Sequence, residues 1–184
     1  MDRKRKSSTV RKIAVFGIYT ALALIFSYVE AQVPAFFAFP GMKLGLTNAV
    51  VLVALYRSGA VPAMAVNILR IVLAAMLFGS FASFVYSLSG GMLSAAVMII
   101  LKKTGAFRTV TVSIAGGVSH NAGQIAAAMI MMSTASLGWY LSVLWFTGLV
   151  SGALIGILGN ELLKRLPAGL FNGENGREKR DDQP

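Results

Sequence analysis

The chain has 184 residues, of which 56% are hydrophobic and 13% are charged, and its formal net charge is +10. The charged residues lie mainly at the two ends of the sequence, whereas a soluble domain of this size needs charge over its whole surface. The composition therefore excludes a freely soluble enzyme and a disordered chain, and the lack of cysteine excludes a disulfide-stapled secreted module. We conclude that this is an integral membrane protein that is embedded in a lipid bilayer.

Six apolar segments follow one another along the chain. A membrane helix needs about 20 mostly apolar residues to cross a hydrocarbon core of about 30 Å. The second segment falls short of that length, so we predict a short or broken helix there. Transmembrane β-strands would alternate polar and apolar residues, which these runs do not, and the predicted fold is an all-α bundle of six transmembrane helices. The segments are residues 13–33, 44–56, 60–78, 84–101, 110–132 and 139–163.

The basic residues give the bundle an orientation. Every lysine and arginine except Lys43 and Arg70 falls on one side of the membrane if the amino terminus is cytoplasmic. The positive-inside rule therefore predicts two cytoplasmic termini, and we expect a multi-pass protein of a bacterial plasma membrane. We divide the chain into a basic N-terminus (1–12), a membrane domain (13–166) and a flexible cytoplasmic tail (167–184). A basic run beside an apolar span is an ordinary orientation signal, so no nucleic-acid partner is expected.

Polar side chains inside the predicted spans are the candidates for function. Such groups are costly at membrane depth and normally face the bundle interior. Counting residues along each helix places them all in the middle or outer half of the membrane. Asn67 and Arg70 are three residues apart and His120 and Gln124 are four apart, so each pair shares a helix face. We predict one outward-facing binding cavity lined by Lys43, Asn48, Asn67, Arg70, His120, Asn121 and Gln124.

Structural roles compete with ligand binding for these residues. Hydrogen bonding between helices explains the amides of the third and fifth segments as well as ligand contact does. For His120, packing or interhelical hydrogen bonding is the simpler interpretation. Arg70 has a specific structural alternative, because Glu30 is the one carboxylate in the outer half and could form a buried ion pair with it.

The connection between the first two segments carries unusual residues for a loop. Two prolines oppose helix formation there, and Pro40-Gly41 favours a turn. Aromatic residues occupy positions where a water-facing loop would be polar, so the loop either dips into the membrane interface or closes over a pocket. The short helix that follows would offer free backbone N–H groups and Lys43 to an anionic ligand. The loop residues are Pro34, Phe36, Phe37, Phe39, Pro40 and Gly41.

Three motifs resemble a known membrane family, the Gx transporters, also labelled heptaprenyl diphosphate synthase component I. They are Pro40-Gly-Met-Lys-Leu-Gly-Leu-x-Asn48, Asn67-x-x-Arg70 and Gly116-Gly-Val-x-His-Asn-x-Gly-Gln124. The resemblance covers roughly residues 11–165. The family is similar in size and layout to the S components of energy-coupling-factor transporters, which capture vitamin-like molecules from outside the cell.

The resemblance implies a set of partners and two further roles. A transmembrane coupling protein and two ATPases would supply the energy, so ATP would be used by partner subunits and not by this chain. The loop of residues 34–43 would be the gate of the binding site. The small-residue face Gly17-x-x-x-Ala21 would dock the coupling protein, although S components usually carry alanine at both positions.

The residues argue against catalysis by this chain. A prenyl-elongating synthase needs aspartate-rich motifs to hold Mg²⁺, but the one adjacent pair, Asp181-Asp182, lies in the polar tail. There is no Walker sequence and no base–orienter pair. We therefore expect no enzyme activity, no metal and no bound cofactor.

Two other functions remain open at this stage. The first is a membrane accessory subunit in polyprenyl diphosphate or quinone synthesis, which would hold an isoprenoid for a soluble partner. The second is an ion-coupled carrier that uses His120 and Glu30 as proton sites.

Overall fold

The computed structural model describes residues 2–32 and 45–166, and their side chains from residue 9 onward. Six α-helices and one short 3₁₀ helix account for nearly all of this part of the chain, and no strand occurs within it. The predicted all-α bundle of six helices is confirmed. The helices are α1 (Asp2–Gln32), α2 (Leu46–Ser58), α3 (Ala60–Phe78), α4 (Phe81–Thr104), α5 (Thr109–Met131), the 3₁₀ helix (Ala135–Trp139) and α6 (Tyr140–Arg165).

Four of the helical segments are long and apolar enough to cross a membrane. α5 is long enough but less apolar than these, because it contains His120, Asn121, Gln124 and several small polar residues. α2 is apolar but has only 13 residues, in agreement with the short second helix that the sequence predicts. α1 begins at Asp2, so the basic run continues into the first helix without a break. The four spans are Thr9–Gln32, Ala60–Phe78, Phe81–Thr104 and Ala135–Arg165.

The described connections between helices are short, which makes successive helices antiparallel neighbours. Gly59 alone separates α2 from α3, and its φ of +97° lies in the region that favours glycine. Ser80 begins α4, where its hydroxyl accepts a hydrogen bond from the Ser83 N–H at 3.2 Å.

The short helix α2 lies at the centre of the bundle. It contacts each of the other five α-helices, and its side chains from Ala49 to Leu55 are all buried. Leu52 and Ala54 have no exposed surface at all. A helix that is apolar on every side is stable only when it is surrounded, so α2 depends on the longer helices around it.

Charged side chains from neighbouring helices bind both ends of α2. At its start, the Glu30 carboxylate accepts hydrogen bonds from the Leu46 N–H at 2.8 Å and the Thr47 hydroxyl at 3.0 Å. At its end, Lys102 Nζ donates to the Leu55 carbonyl at 2.5 Å and lies 5.0 Å from the Tyr56 ring centroid. Each charge complements the helix dipole, negative at the N-terminus and positive at the C-terminus. One of the four N–H groups and one of the four carbonyl groups that a helix leaves unpaired at its ends thereby gain partners inside the protein.

A stripe of glycines brings α5 and α6 into close contact. A Cβ atom added to Gly152 would lie 2.7 Å from the Ile114 Cα, and one added to Gly156 would lie 2.8 Å from the Val110 Cα. Both neighbours are backbone atoms, which cannot move aside as a flexible side chain would. The small-residue face of α6 is therefore a helix-packing surface.

We predict that Gly152→Ala destabilises the protein by about 1–3 kcal/mol, because the new methyl group overpacks the α5–α6 contact. Gly17→Ala is the matched control, since an added Cβ at Gly17 has nothing within 4 Å. Thermal unfolding of the two variants in detergent checks this. An unchanged melting temperature for Gly152→Ala would contradict the close packing described here.

We also predict that Lys102→Met lowers stability by about 1–3 kcal/mol, because the Leu55 carbonyl loses a charge-assisted hydrogen bond. The adjacent Lys103 is exposed, so Lys103→Met removes the same charge without disturbing α2. The comparison of the two melting curves isolates the bond to α2. Equal losses in the two variants would show that only the net charge matters.

Candidate functional site

A cavity of about 110 Å³ lies beside the start of α2. It is bounded by the end of α1, the second half of α3, the first turns of α4, and the middle of α5 and of α6. That volume holds several water molecules. Its wall combines polar groups with an apolar surface formed by Ile71, Ala74, Ala75, Phe78 and Phe84.

The structure brings several of the predicted residues together and separates others. Asn48, Arg70, His120 and Asn121 line the cavity, as does Glu30. Asn67 and Gln124 are not part of its wall. The remaining predictions lie outside the described residues; they concern Lys43, the loop residues Pro34, Phe36, Phe37, Phe39, Pro40 and Gly41, and the tail 167–184.

Glu30 occupies the donors at the start of α2. Its two carboxylate oxygens accept from Leu46 and Thr47, as described above, and the Thr47 hydroxyl lies 3.3 Å from the Ser27 hydroxyl. The Leu46 N–H, which the sequence suggests is free for an anionic ligand, therefore already has a carboxylate partner from the protein itself. The cavity at this end presents a negative charge held in a fixed position.

Arg70 is oriented by Asn67. Arg70 is 7% exposed, and its Nε and Nη2 donate to the Asn67 side-chain oxygen at 3.2 and 2.9 Å. Asn67 is 1% exposed and donates in turn to the Gly91 carbonyl of α4 at 2.9 Å. The two residues share a helix face, as predicted, but their roles differ. Asn67 positions the guanidinium, and of the two only Arg70 lines the cavity.

Among the residues that it describes, the structure does not show the direct Glu30–Arg70 ion pair that the sequence left open as an alternative. No hydrogen bond joins the two side chains within the described part of the protein, since each is bonded to other groups. Both side chains nevertheless line the same cavity. The cavity wall therefore contains two opposite charges.

The residues of α5 differ in how far they reach the cavity. Asn121 lines it and also donates from Nδ2 to the Leu144 carbonyl of α6 at 2.6 Å. It therefore links two helices at the wall of the cavity. Gln124 packs against α4 instead, where its Cγ would lie 2.7 Å from a Cβ on Gly90. The structure thus places Gln124 at a helix interface.

Sequence reasoning missed the hydroxyl groups of the wall. These side chains are common in membrane helices as hydrogen-bonding groups between helices, so their presence alone did not mark a site. The spacing of Ser83 and Ser87, four residues apart on α4, places both on one helix face and was the available signal. The missed hydroxyl residues are Ser27, Thr47, Ser83, Ser87 and Ser151.

The predicted docking face lies on the outer surface of the bundle. Gly17 and Ala21 are both exposed, and an added Cβ at Gly17 meets no atom within 4 Å. The described part of the chain therefore leaves both residues exposed on the surface of α1. For metals, residues 9–32 and 45–166 contain no group of three histidine, cysteine or acidic residues that could hold an ion.

Comparison with known proteins identifies the family. The model of the heptaprenyl diphosphate synthase component I family matches residues 19–162, which is well over half of the chain. No curated protein and no solved structure matches the chain. The protein belongs to the heptaprenyl diphosphate synthase component I family, and its apolar helices make it a multi-pass membrane protein.

Proposed function

We propose that this member of the heptaprenyl diphosphate synthase component I family is a membrane-embedded solute-binding subunit of an uptake transporter. It would capture a small anionic or amphipathic molecule from outside the cell, in the manner of the S components that it resembles. The observation that carries the proposal is that Glu30, Asn48, Arg70 and Asn121 come from four different helices and line one cavity. Charged groups at membrane depth are expensive and usually functional.

The wall has the composition of a small-molecule site. Such sites are mostly apolar, with a few placed polar groups that fix the orientation of the ligand. Arg70 would bind an acidic or carbonyl group of the solute, and the amides of Asn48 and Asn121 would supply directional hydrogen bonds. Phe78 and Phe84 would cover the apolar part.

Binding without catalysis is the expected role of this chain. We propose that it neither performs chemistry nor binds a metal or cofactor, and that it relies on partners for energy. By the resemblance to S components, the partners are a transmembrane coupling protein and two ATPases. The exposure of Gly17 and Ala21 supports this, because the face is available to another membrane protein.

Solute retention tests the binding site. We expect the wild-type protein, purified in lipid nanodiscs, to carry a small molecule that mass spectrometry detects after denaturation. Arg70→Gln should lower the retained amount at least tenfold, since a buried charge partner is lost, whereas Arg165→Gln on the exposed end of α6 should not. Retention at the wild-type level by both Arg70→Gln and Asn121→Ala would show that the solute binds elsewhere.

Co-purification tests the partners. Ala21→Leu places a bulky side chain on the proposed docking face and should lower recovery of a coupling protein and ATPases at least tenfold. Ala126→Leu, at an exposed position on α5, is the matched control and should recover them as the wild type does. Recovery of a soluble prenyltransferase in place of ATPases would instead favour an accessory role in polyprenyl diphosphate synthesis.

A further inference from the structure

The charges around the cavity restrict the chemistry of its ligand. Glu30 and Arg70 are the two charged residues in the described wall, and they carry opposite signs. An outward-facing site that selected simple anions would be expected to present positive charge and helix N-terminal donors. In this protein a carboxylate of the chain already occupies those donors.

The Glu30 carboxylate is fixed in place but retains binding capacity. Its oxygens each accept one hydrogen bond from the start of α2, at 2.8 and 3.0 Å. A carboxylate offers about four acceptor positions in total, so each oxygen can accept another hydrogen bond from the cavity. The two hydrogen bonds from α2 hold the carboxylate in position beside the cavity.

Arg70, like Glu30, is held in place by the protein and retains binding capacity. Two of its N–H groups point to Asn67, and the described residues provide no further hydrogen bond to the guanidinium. A guanidinium has five N–H donors in a planar arrangement. The remaining donors suit a carboxylate, phosphate or carbonyl group of a ligand.

We infer that the site takes a small molecule whose polar end carries both a cationic or N–H-bearing group for Glu30 and an acidic or carbonyl group for Arg70. This inference rests on the proposed function and names the class of solute. A ligand with only an acidic group would be attracted by Arg70 but repelled by the fixed carboxylate, and one with only a cationic group would be attracted by Glu30 but repelled by the guanidinium. A ligand that carries both groups gains both attractions. Charge interactions are stronger in a partly buried site than in bulk water, so the repulsion acts as selection. The aromatic side of the cavity accommodates an apolar remainder.

Three related compounds test the inference on the full-length protein in nanodiscs. L-phenylalanine carries both groups beside an apolar ring, 3-phenylpropanoate lacks the amine, and 2-phenylethylamine lacks the carboxylate. We expect phenylalanine to bind at least tenfold more tightly than either analogue in equilibrium dialysis. Equal binding of 3-phenylpropanoate, or no binding of phenylalanine, would overturn the inference.

Substitutions assign the preference to the two charges. Glu30→Gln should reduce the preference for phenylalanine over 3-phenylpropanoate to below about twofold, and Arg70→Gln should do the same for 2-phenylethylamine. Glu161→Gln is the control, because Glu161 pairs with Lys164 and Arg165 at the far end of α6. An unchanged preference in Glu30→Gln would overturn the assignment to Glu30. If a variant fails to fold, as judged by its melting curve, the selectivity of the wild type still decides the question.

The outcome is distinguishable from that of the proposed function. A wild-type protein that retains its own solute but does not prefer phenylalanine to its analogues would refute the paired-charge ligand alone. A wild-type protein that retains no solute and binds none of the three compounds would refute the binding function as well.

Discussion

The constraint on which this structure depends is that a helix too short for the membrane must find partners for its ends inside the protein. α2 has 13 residues, which rise about 20 Å at 1.5 Å per residue, against a hydrocarbon core of about 30 Å. Unpaired N–H and carbonyl groups that face the hydrocarbon core have no water to bind. Glu30 and Lys102, from neighbouring helices, each bind one backbone group, at the start and at the end of α2. The cavity lies beside the start of this short helix, where Glu30 binds it.

Close packing of the surrounding helices holds the polar groups around that space. Glycines on α6 allow its backbone to approach α5, and Gly123 of α5 similarly faces Gly90 of α4. With the three backbones this close, Asn121 can bond a carbonyl of α6 while it still lines the cavity. Apart from Gly45 and Gly79, the described residues of the cavity wall all belong to helices, which favours defined positions for its donors and acceptors.

Much of the architecture could be predicted from sequence, because continuous apolar runs in a membrane protein leave few alternatives to helices. The bounds of α3 coincide with the predicted segment 60–78, and the other helices differ from prediction by a few residues apart from the N-terminal extension of α1. The central position of α2 could not be predicted, since apolar composition indicates burial in protein and in lipid equally.

The residues of the cavity wall were predictable only in part. Counting along the helices places Asn48, Arg70 and Asn121 at compatible depths, and all three line the cavity. Spacing along a helix cannot tell that Asn67 orients Arg70 while Arg70 reaches the cavity, because both share one face. Nor could it tell that Glu30 would bind the start of α2 in preference to a direct hydrogen bond with Arg70, since that depends on how α1 and α2 meet.

The bond between Lys102 and Leu55 joins positions 47 residues apart, and this separation has a consequence for biogenesis. When α2 leaves the ribosome, the lysine that will cap its last turn has not yet been synthesised. α2 and α3 are joined by Gly59 alone, so the two would insert together as a helical hairpin. The Leu55 carbonyl of α2 would gain its partner, Lys102, only after α4 has been synthesised. Final seating of the central helix is then a late step in assembly, completed among helices already within the bilayer.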